Sequence, residues 1–278
     1  MDYKDILVHL DSSPSCPARI DVAIAFARAF GAKLTGLYVV GLAPMHQYAE
    51  ADLGPELVEA HDRYMREAAH EAERIFTEHT RNAGVAAEWR QVEGPLPDLV
   101  MLHARFADLV IAGQRNPERL DPGTAPELPE QMVLDVGRPV IIVPHTGAFQ
   151  TVGERVLILW KTSRGAARAV NDALPFLRKA KEVCVLTINP ESGISGQGDN
   201  PAADVVAHLS RHGIAAQGRT AKTERGTMGQ TMRDISADFG ADMIVMGAFG
   251  RARWREMILG GMTRNMLAKM EVPILMSR

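Results

Sequence analysis

Short apolar runs alternate along the chain with longer stretches in which apolar positions recur at helical spacing. The runs at residues 6–10 and 156–160 are almost continuously apolar, which is typical of strands buried on both faces of a sheet. Ala-rich helical stretches follow them, from about Pro17 to Phe30 and from about Ala166 to Leu177. This alternation predicts βαβ units, and therefore an α/β fold with a doubly wound parallel sheet and helices on both faces.

The longest helical pattern runs from Pro55 to Ala83, and its counterpart in the second half, from about Ala202 to His212, is shorter. Apolar side chains on the long pattern are predicted to face the core. These candidate core positions are Leu57, Tyr64, Ala68, Ile75 and Phe76.

The second half of the chain repeats the first half in the same order. Residues 6–13, 34–40, 107–113 and 139–143 match residues 156–163, 183–188, 241–247 and 273–277. The first pair is offset by 150 residues, and the last two pairs share an offset of 134. We interpret the repeat as a tandem duplication, with domains at residues 1–148 and 152–278 joined by a short linker.

Composition places the chain among ordinary globular proteins, because 46% of its 278 residues are hydrophobic. No apolar run approaches the roughly 18–20 residues of a membrane helix, and the N-terminus does not resemble a secretory signal. The two cysteines, Cys16 and Cys184, cannot form a disulfide framework. These features predict a cytoplasmic protein that does not enter a membrane.

The net charge of −3 conceals an unequal distribution between the halves. Residues 1–150 contain 13 basic and 22 acidic side chains, a net of −9, whereas residues 151–278 contain 18 and 12, a net of +6. The overall charge argues against nucleic-acid binding. The basic second half is the better candidate for binding an anion.

Glycines follow the apolar run at residues 243–246 and precede a helical pattern that continues to about Met270. In an open α/β sheet, ligands lie beyond the carboxyl ends of the strands. Glycine lets a backbone approach a phosphate closely, and the start of a helix favours an anion. Together these features predict a phosphate site. The alternative is that the glycines only permit tight turns. The candidates here are Gly247, Gly250, Gly260, Gly261, Thr263 and Arg264.

With this motif the chain resembles a tandem universal stress protein. Nucleotide-binding members of that family carry Gly, two residues, Gly, nine residues, Gly and then Ser or Thr after the fourth strand. Gly247, Gly250 and Gly260 keep that spacing. Gly261 stands where the pattern has Ser or Thr, and Thr263 is the hydroxyl that follows it.

The resemblance implies two five-stranded domains with strand order 3-2-1-4-5 and a nucleotide-binding or regulatory role in the stress response. It implies ATP or a related nucleotide as ligand, with Mg²⁺ only together with the nucleotide. Thr162 and Ile188, at strand ends of the second half, complete the candidate nucleotide-binding set. The family's fifth strand tends to form dimers, so an internal pseudo-dimer is expected, and a homodimer stays open.

The two halves depart from the family pattern in opposite ways. Asp11 matches an Asp that commonly lies in the nucleoside part of the family's pocket, but the second half has Lys161 there. In the first half, Asn116 and Pro126 replace glycines, and Glu127 replaces Ser or Thr. Proline lacks an amide donor, and a carboxylate repels phosphate. The second half is therefore predicted to bind the ligand, while the Pro-rich segment of the first forms a rigid loop.

No catalytic constellation is apparent in the sequence, although a slow ATP hydrolase and a ligand-free interaction or chaperone-like protein remain alternatives. His208 and His212 are four residues apart, as zinc ligands on a helix can be, but exposed histidines are the preferred interpretation. Cys16 lies near the start of a helix, where the dipole lowers a thiol pKa. We interpret it as a packing residue. The protein partner cannot be read from the sequence.

Overall fold

The protein is described by a computed structural model that covers residues 2–41, 55–119, 121–125, 127–189, 202–223, 227–248 and 266–278. The chain divides into two compact units, an N-terminal unit at residues 2–147 and a C-terminal unit at residues 148–278. Across the described part of the chain, no helix has the length and apolar character needed to cross a membrane.

Strands and helices alternate in the N-terminal unit. In chain order they are β1 (Asp5–Leu10), α1 (Cys16–Phe30), β2 (Lys33–Gly41), α2 (Pro55–Ala83), β3 (Ala87–Gly94), α3 (Leu96–Ala104), β4 (Leu109–Gly113), α4 (Leu128–Asp135) and β5 (Val140–Val143). All pairings within the unit are parallel, and they give the order β3-β2-β1-β4-β5.

The C-terminal unit repeats this arrangement. Its elements are β6 (Arg155–Leu159), α5 (Arg164–Leu177), β7 (Glu182–Ile188), α6 (Ala203–Arg211), β8 (Gln217–Ala221), α7 (Met228–Phe239), β9 (Met243–Gly247) and β10 (Ile274–Ser277). The strands are again parallel, in the order β10-β9-β6-β7-β8. The α/β fold predicted from the alternation of apolar runs and helical patterns is confirmed.

The core lies where the apolar runs are most continuous. Every residue of β5 is buried, and so is every residue of β1 after Asp5. Glycine ends a helix in each unit: Gly31 follows α1 with φ +60°, and Gly240 follows α7 with φ +65°. In this left-handed conformation a glycine satisfies the last helical carbonyls without the steric cost that a side chain would bring.

Helix α2 has the predicted span, but the core face differs in part from the predicted one. Met65, Ala69, Ala72 and Phe76 are buried and follow one another at helical spacing. Tyr64 is 57% exposed, so its predicted core position is wrong, because it lies about 100° around the helix from Met65. Among the other candidates, Ala68 and Ile75 are half-buried, and the side chain of Leu57 lies outside the described set.

Each sheet has a point at which the direction of strand addition reverses. β1 lies between β2 and β4, and β6 lies between β7 and β9. In each unit the second strand lies on one side of the first strand, and the fourth strand lies on its other side. In open α/β sheets, ligands bind in the crevice at the carboxyl ends of such strands, so the segments after β1, β4, β6 and β9 define the candidate sites.

Candidate functional site

In the N-terminal unit, the residue that follows β1 belongs to a buried ion pair. Nη2 of Arg19, on α1, lies 2.8 Å from Oδ2 of Asp11, and the two side chains are only 2% and 5% exposed. Ser13 donates from its backbone N–H, at 2.9 Å, and from its hydroxyl to Oδ1 of Asp11. The Asp11 carboxylate, which the family pattern places in the nucleoside pocket, is therefore engaged on both oxygens.

These contacts fix the charge of both partners. Burial would raise the pKa of Asp11, but Arg19 and the hydrogen bonds from Ser13 outweigh that effect and hold the pKa below its ordinary value. Burial would lower the pKa of Arg19, and Asp11 reverses that effect and raises it. The pair is thus fully ionised at neutral pH.

Gly113, at the end of β4, makes room for the guanidinium group. A methyl group at Gly113 would lie 1.8 Å from Nη1 of Arg19, a separation that no side chain can adopt. A side chain at this position would therefore displace the guanidinium of Arg19 from its place beside Asp11. Offset by 150 residues, the buried position in α5 that corresponds to Arg19 is Ala169, so the C-terminal unit has no matching cation.

A segment that we call the covering loop, residues 121–125, lies across the end of β1. The backbone N–H of Ser12 donates to the carbonyl of Pro122 at 2.9 Å. Gly123 has φ +79°, and a methyl group there would lie 3.1 Å from Cα of Asp11. The described part of the predicted Pro-rich loop is thus tied to the strand end, while Pro126 lies outside the described residues.

Beneath the covering loop is a cavity of about 80 Å³ that polar and apolar residues line together. His9, Asp11 and Ser13 contribute from β1 and the turn after it. Gln114, which follows β4, and His145, which follows β5, also line the cavity. Oε1 of Gln114 lies 2.7 Å from Nδ1 of His145 and accepts the backbone N–H of the same residue at 3.0 Å.

His9 is a second buried titratable group at this cavity, beside Asp11. Burial lowers its pKa to about 4, Asp11 acts in the opposite direction, and Arg19 lowers the pKa further. The imidazole is therefore neutral at neutral pH. Its Nε2 is buried and has no hydrogen-bond partner within the described residues, which is unusual for a buried polar atom.

In the C-terminal unit, the segment after β6 has the opposite charge. Lys161 and Thr162 are both exposed. Ser163 caps α5, because its hydroxyl accepts the backbone N–H of Ala166 at 3.2 Å. At the neighbouring strand end, Ile188 closes β7 and is half-buried.

Gly247, at the end of β9, is required by the packing of α5. A methyl group there would lie 2.3 Å from the backbone nitrogen of Ala166 and 2.5 Å from the carbonyl carbon of Gly165. The first turn of α5 thus rests directly on the strand end. The other motif residues, Gly250, Gly260, Gly261, Thr263 and Arg264, lie outside the described residues, so their role in nucleotide binding stays a prediction.

The family model of the universal stress proteins matches the chain twice, over residues 2–144 and 154–278. The chain belongs to the universal stress protein family. No curated protein matches it significantly. A universal stress protein from Archaeoglobus fulgidus has a similar structure, with 19% identity, 98% of this chain and 97% of that chain covered, and a TM-score of 0.72. A functionally unknown protein from Pseudomonas aeruginosa shares 14% identity, covering 98% and 92%, with a TM-score of 0.60.

Two weaker sequence candidates can be placed on this universal stress protein. The rings of His208 and His212 are 4.7 Å apart, but no group of three or more His, Cys, Asp or Glu side chains among the described residues could hold a metal ion. Cys16 is buried, as a packing residue should be. The low thiol pKa expected from the start of a helix is wrong, because burial raises the pKa of Cys16 and outweighs the opposing effect of Arg19.

The sequence reading of this universal stress protein missed Arg19 and His9. Arg19 shares a helical face with the buried residues Cys16, Ile20 and Ala23, and a charged residue at a core position is a signal for a buried partner. His9 interrupts an otherwise apolar strand. Both signals are visible in the sequence, but neither identifies the partner.

Proposed function

We propose that this universal stress protein is a stress-response regulatory protein that binds ATP or another phosphate-bearing ligand in its C-terminal unit. The observation that carries the proposal is the exposed Lys161 at the carboxyl end of β6, beside the N-terminus of α5. A lysine has three donors and no acceptor, so its cation suits a phosphate, and it cannot accept the proton of a ribose hydroxyl as a carboxylate does.

The surroundings of Lys161 support an anionic ligand. The positive end of the α5 dipole lies at the same strand edge, and residues 151–278 carry a net charge of +6. The Gly247, Gly250 and Gly260 spacing of nucleotide-binding family members is kept. As the family resemblance implies, Mg²⁺ is expected only together with the nucleotide.

The N-terminal unit is not proposed as the phosphate site. Its corresponding strand end carries the Asp11–Arg19 pair, and the covering loop lies across it. A triphosphate would have to displace that loop and approach Asp11. We therefore assign the two units of this protein different ligand properties.

Isothermal titration of the full chain with ATP and ADP tests the proposal. Wild-type protein should bind, and Lys161→Glu should weaken binding by about tenfold or more, because it replaces a cation near the phosphates by an anion. Lys269→Glu is the matched control, since Lys269 is exposed in the same unit but precedes β10, at the opposite strand edge.

The absence of heat with wild-type protein at millimolar nucleotide would overturn the proposal, as would equal losses in the two lysine variants. A phosphate-release assay on the wild type and on Gly260→Asp separates binding from slow hydrolysis. We expect no release above the rate without protein.

A further inference from the structure

Helix α3 exposes large apolar side chains on the side that points away from its own unit. Leu102 is 47% exposed and Phe106 is 77% exposed, and the two residues are four positions apart, so they lie on one side of the helix. Leu99, on the same side, is half-buried. We call Leu99, Leu102 and Phe106 the apolar face of α3. The buried residues lie on the opposite side of the helix, and they are Leu96, Val100, Met101 and Ala104.

The C-terminal unit has no counterpart of this apolar face. At the offset of 134 residues, Ser236 and Gly240 correspond to Leu102 and Phe106. Gly240 ends its helix in the left-handed conformation that favours glycine, whereas Phe106 places most of its ring in solvent. The apolar face is therefore a property of the N-terminal unit alone. Adjacent exposed apolar side chains mark an interaction surface.

Charged residues flank the apolar face with opposite signs at its two ends. Asp98, in the first turn of α3, and Arg105, which directly follows the helix, are both exposed. They are seven residues apart, which is close to two helical turns, so they lie along the same edge of the face. Nε of Arg138 donates to the carbonyl of Arg105 at 3.1 Å, which adds a second cation at that end.

This arrangement is complementary to itself when a second copy of α3 lies antiparallel to the first. In a contact with two-fold symmetry, residue i meets residue j of the partner, and j meets i. With Leu102 at the axis, Asp98 lies opposite Arg105 of the partner subunit, because each is three or four residues from the centre. By the same count, Leu99 lies opposite Phe106 of the partner subunit. The antiparallel arrangement also brings together helix ends of opposite partial charge.

We propose that this universal stress protein forms a homodimer in which the apolar faces of α3 pack antiparallel about a two-fold axis. The occupant is a second copy because one face supplies both charges that the contact needs. A short helix offers less than the roughly 800 Å² per partner of a standard interface, so we expect a dissociation constant roughly in the micromolar range. Phe106 precedes β4, at the sheet edge opposite the crevice, so the dimer does not depend on the proposed phosphate site.

Sedimentation velocity of the full chain between about 1 and 500 µM tests the proposal. The wild type should change from monomer to dimer within this range. Phe106→Ser and Leu102→Ser should each weaken dimerisation by about tenfold or more, because each removes an apolar anchor from the contact. Tyr64→Ser is the matched control, since Tyr64 is a large side chain that is 57% exposed on a different helix. Circular dichroism should show that all three variants keep the wild-type fold.

Charge reversal distinguishes the antiparallel contact from other contacts. Asp98→Arg and Arg105→Asp each place like charges opposite one another, so each variant alone should dimerise about tenfold more weakly. An equimolar mixture of the two variants should dimerise again, because each supplies the charges that the other lacks. The double variant Asp98→Arg/Arg105→Asp should dimerise by itself. Salt should weaken the wild-type dimer, because it screens exposed ion pairs.

A wild type that stays monomeric at every concentration would leave the apolar face to a different protein, and would overturn the proposal. Unchanged dimerisation of Phe106→Ser would place the contact elsewhere, for instance at a fifth strand, with the same consequence. Equal weakening by Tyr64→Ser would show that the loss is not specific to α3. A mixture that fails to restore dimerisation would contradict the antiparallel arrangement.

Discussion

At the scale of single residues, the duplicated units differ most at two corresponding positions. The N-terminal unit has Asp11 and Arg19, which neutralise each other inside the protein, and the C-terminal unit has Lys161 and Ala169. One pair of positions thus places opposite charges inside the protein, while the other consists of an exposed lysine and a buried alanine. This difference underlies the proposal that the phosphate site lies in the C-terminal unit.

Removing one partner of the buried pair should be costly. Arg19→Met leaves the Asp11 carboxylate without its cation, and we expect the protein to lose about 3–5 kcal/mol of unfolding free energy. Urea unfolding measures the loss. The control is Arg168→Met, because Arg168 is 51% exposed and pairs with Asp172 at 2.8 Å. It should cost less than about 1 kcal/mol.

The double variant Asp11→Asn/Arg19→Met distinguishes a charge effect from a packing effect. Removing both charges should recover much of the stability lost in Arg19→Met, because no buried charge is then left unpaired. If the double variant were as unstable as the single one, lost packing of the Arg19 side chain would be the cause.

His9 should make stability depend on pH. Its pKa is about 4 in the folded protein against 6.5 for a free histidine. The unfolded chain therefore binds the proton more tightly, and stability falls as pH decreases through this window. Between pH 7 and pH 5 the loss should be about 2 kcal/mol, measured by urea unfolding. His9→Gln does not titrate and should show a smaller pH dependence; an equal dependence would assign it to other groups.

At the scale of elements, each unit packs its first helix against the end of its fourth strand, but by different means. In the N-terminal unit the Arg19 side chain fills the space above Gly113, and in the C-terminal unit the backbone of α5 lies directly on Gly247. A glycine of the nucleotide motif therefore has a structural reason to be present whether or not a ligand binds.

Gly247→Ala should destabilise the C-terminal unit. The added methyl group would lie 2.3 Å from the backbone of Ala166, so α5 must move, at a cost of about 1–3 kcal/mol. Thermal unfolding measures the effect. Gly41→Ala is the control, because a methyl group at Gly41 meets nothing within 4 Å. Similar stability of the two variants would show that α5 accommodates the methyl group freely.

The sequence predicts those helices and strands whose apolar pattern is complete within one short segment of the chain. The helix at residues 55–83 and the buried strands follow from apolar periodicity. The pattern did not reveal β3 and β8, because each pairs with a single strand of its unit and has few buried residues. The Asp11–Arg19 pair and the bond from Ser12 to Pro122 join distant segments, and no local pattern encodes such contacts.

At the scale of the whole molecule, the duplication gives one chain two crevices whose surroundings differ. In both units the first strand lies between the second and the fourth strands of a parallel sheet. Each unit therefore has a crevice at the carboxyl ends of these strands. The N-terminal copy covers it with residues 121–125 and carries a net charge of −9 over residues 1–150, whereas the remainder carries +6. Topology therefore sets where a ligand can bind, and the local charges and loops set which ligand.

Each unit should fold without the other. Both contain five mutually paired strands and their own buried core, and their lengths are typical of independent domains. We expect fragments 1–148 and 152–278 each to unfold in one cooperative transition, followed by circular dichroism in urea. Saturating ATP should raise the midpoint of the second fragment only, because a ligand stabilises the state that binds it. Lys161→Glu should abolish that shift. A fragment that stays unfolded would show that its fold depends on the other unit, and an ATP shift in the first fragment would contradict the division of ligands between them.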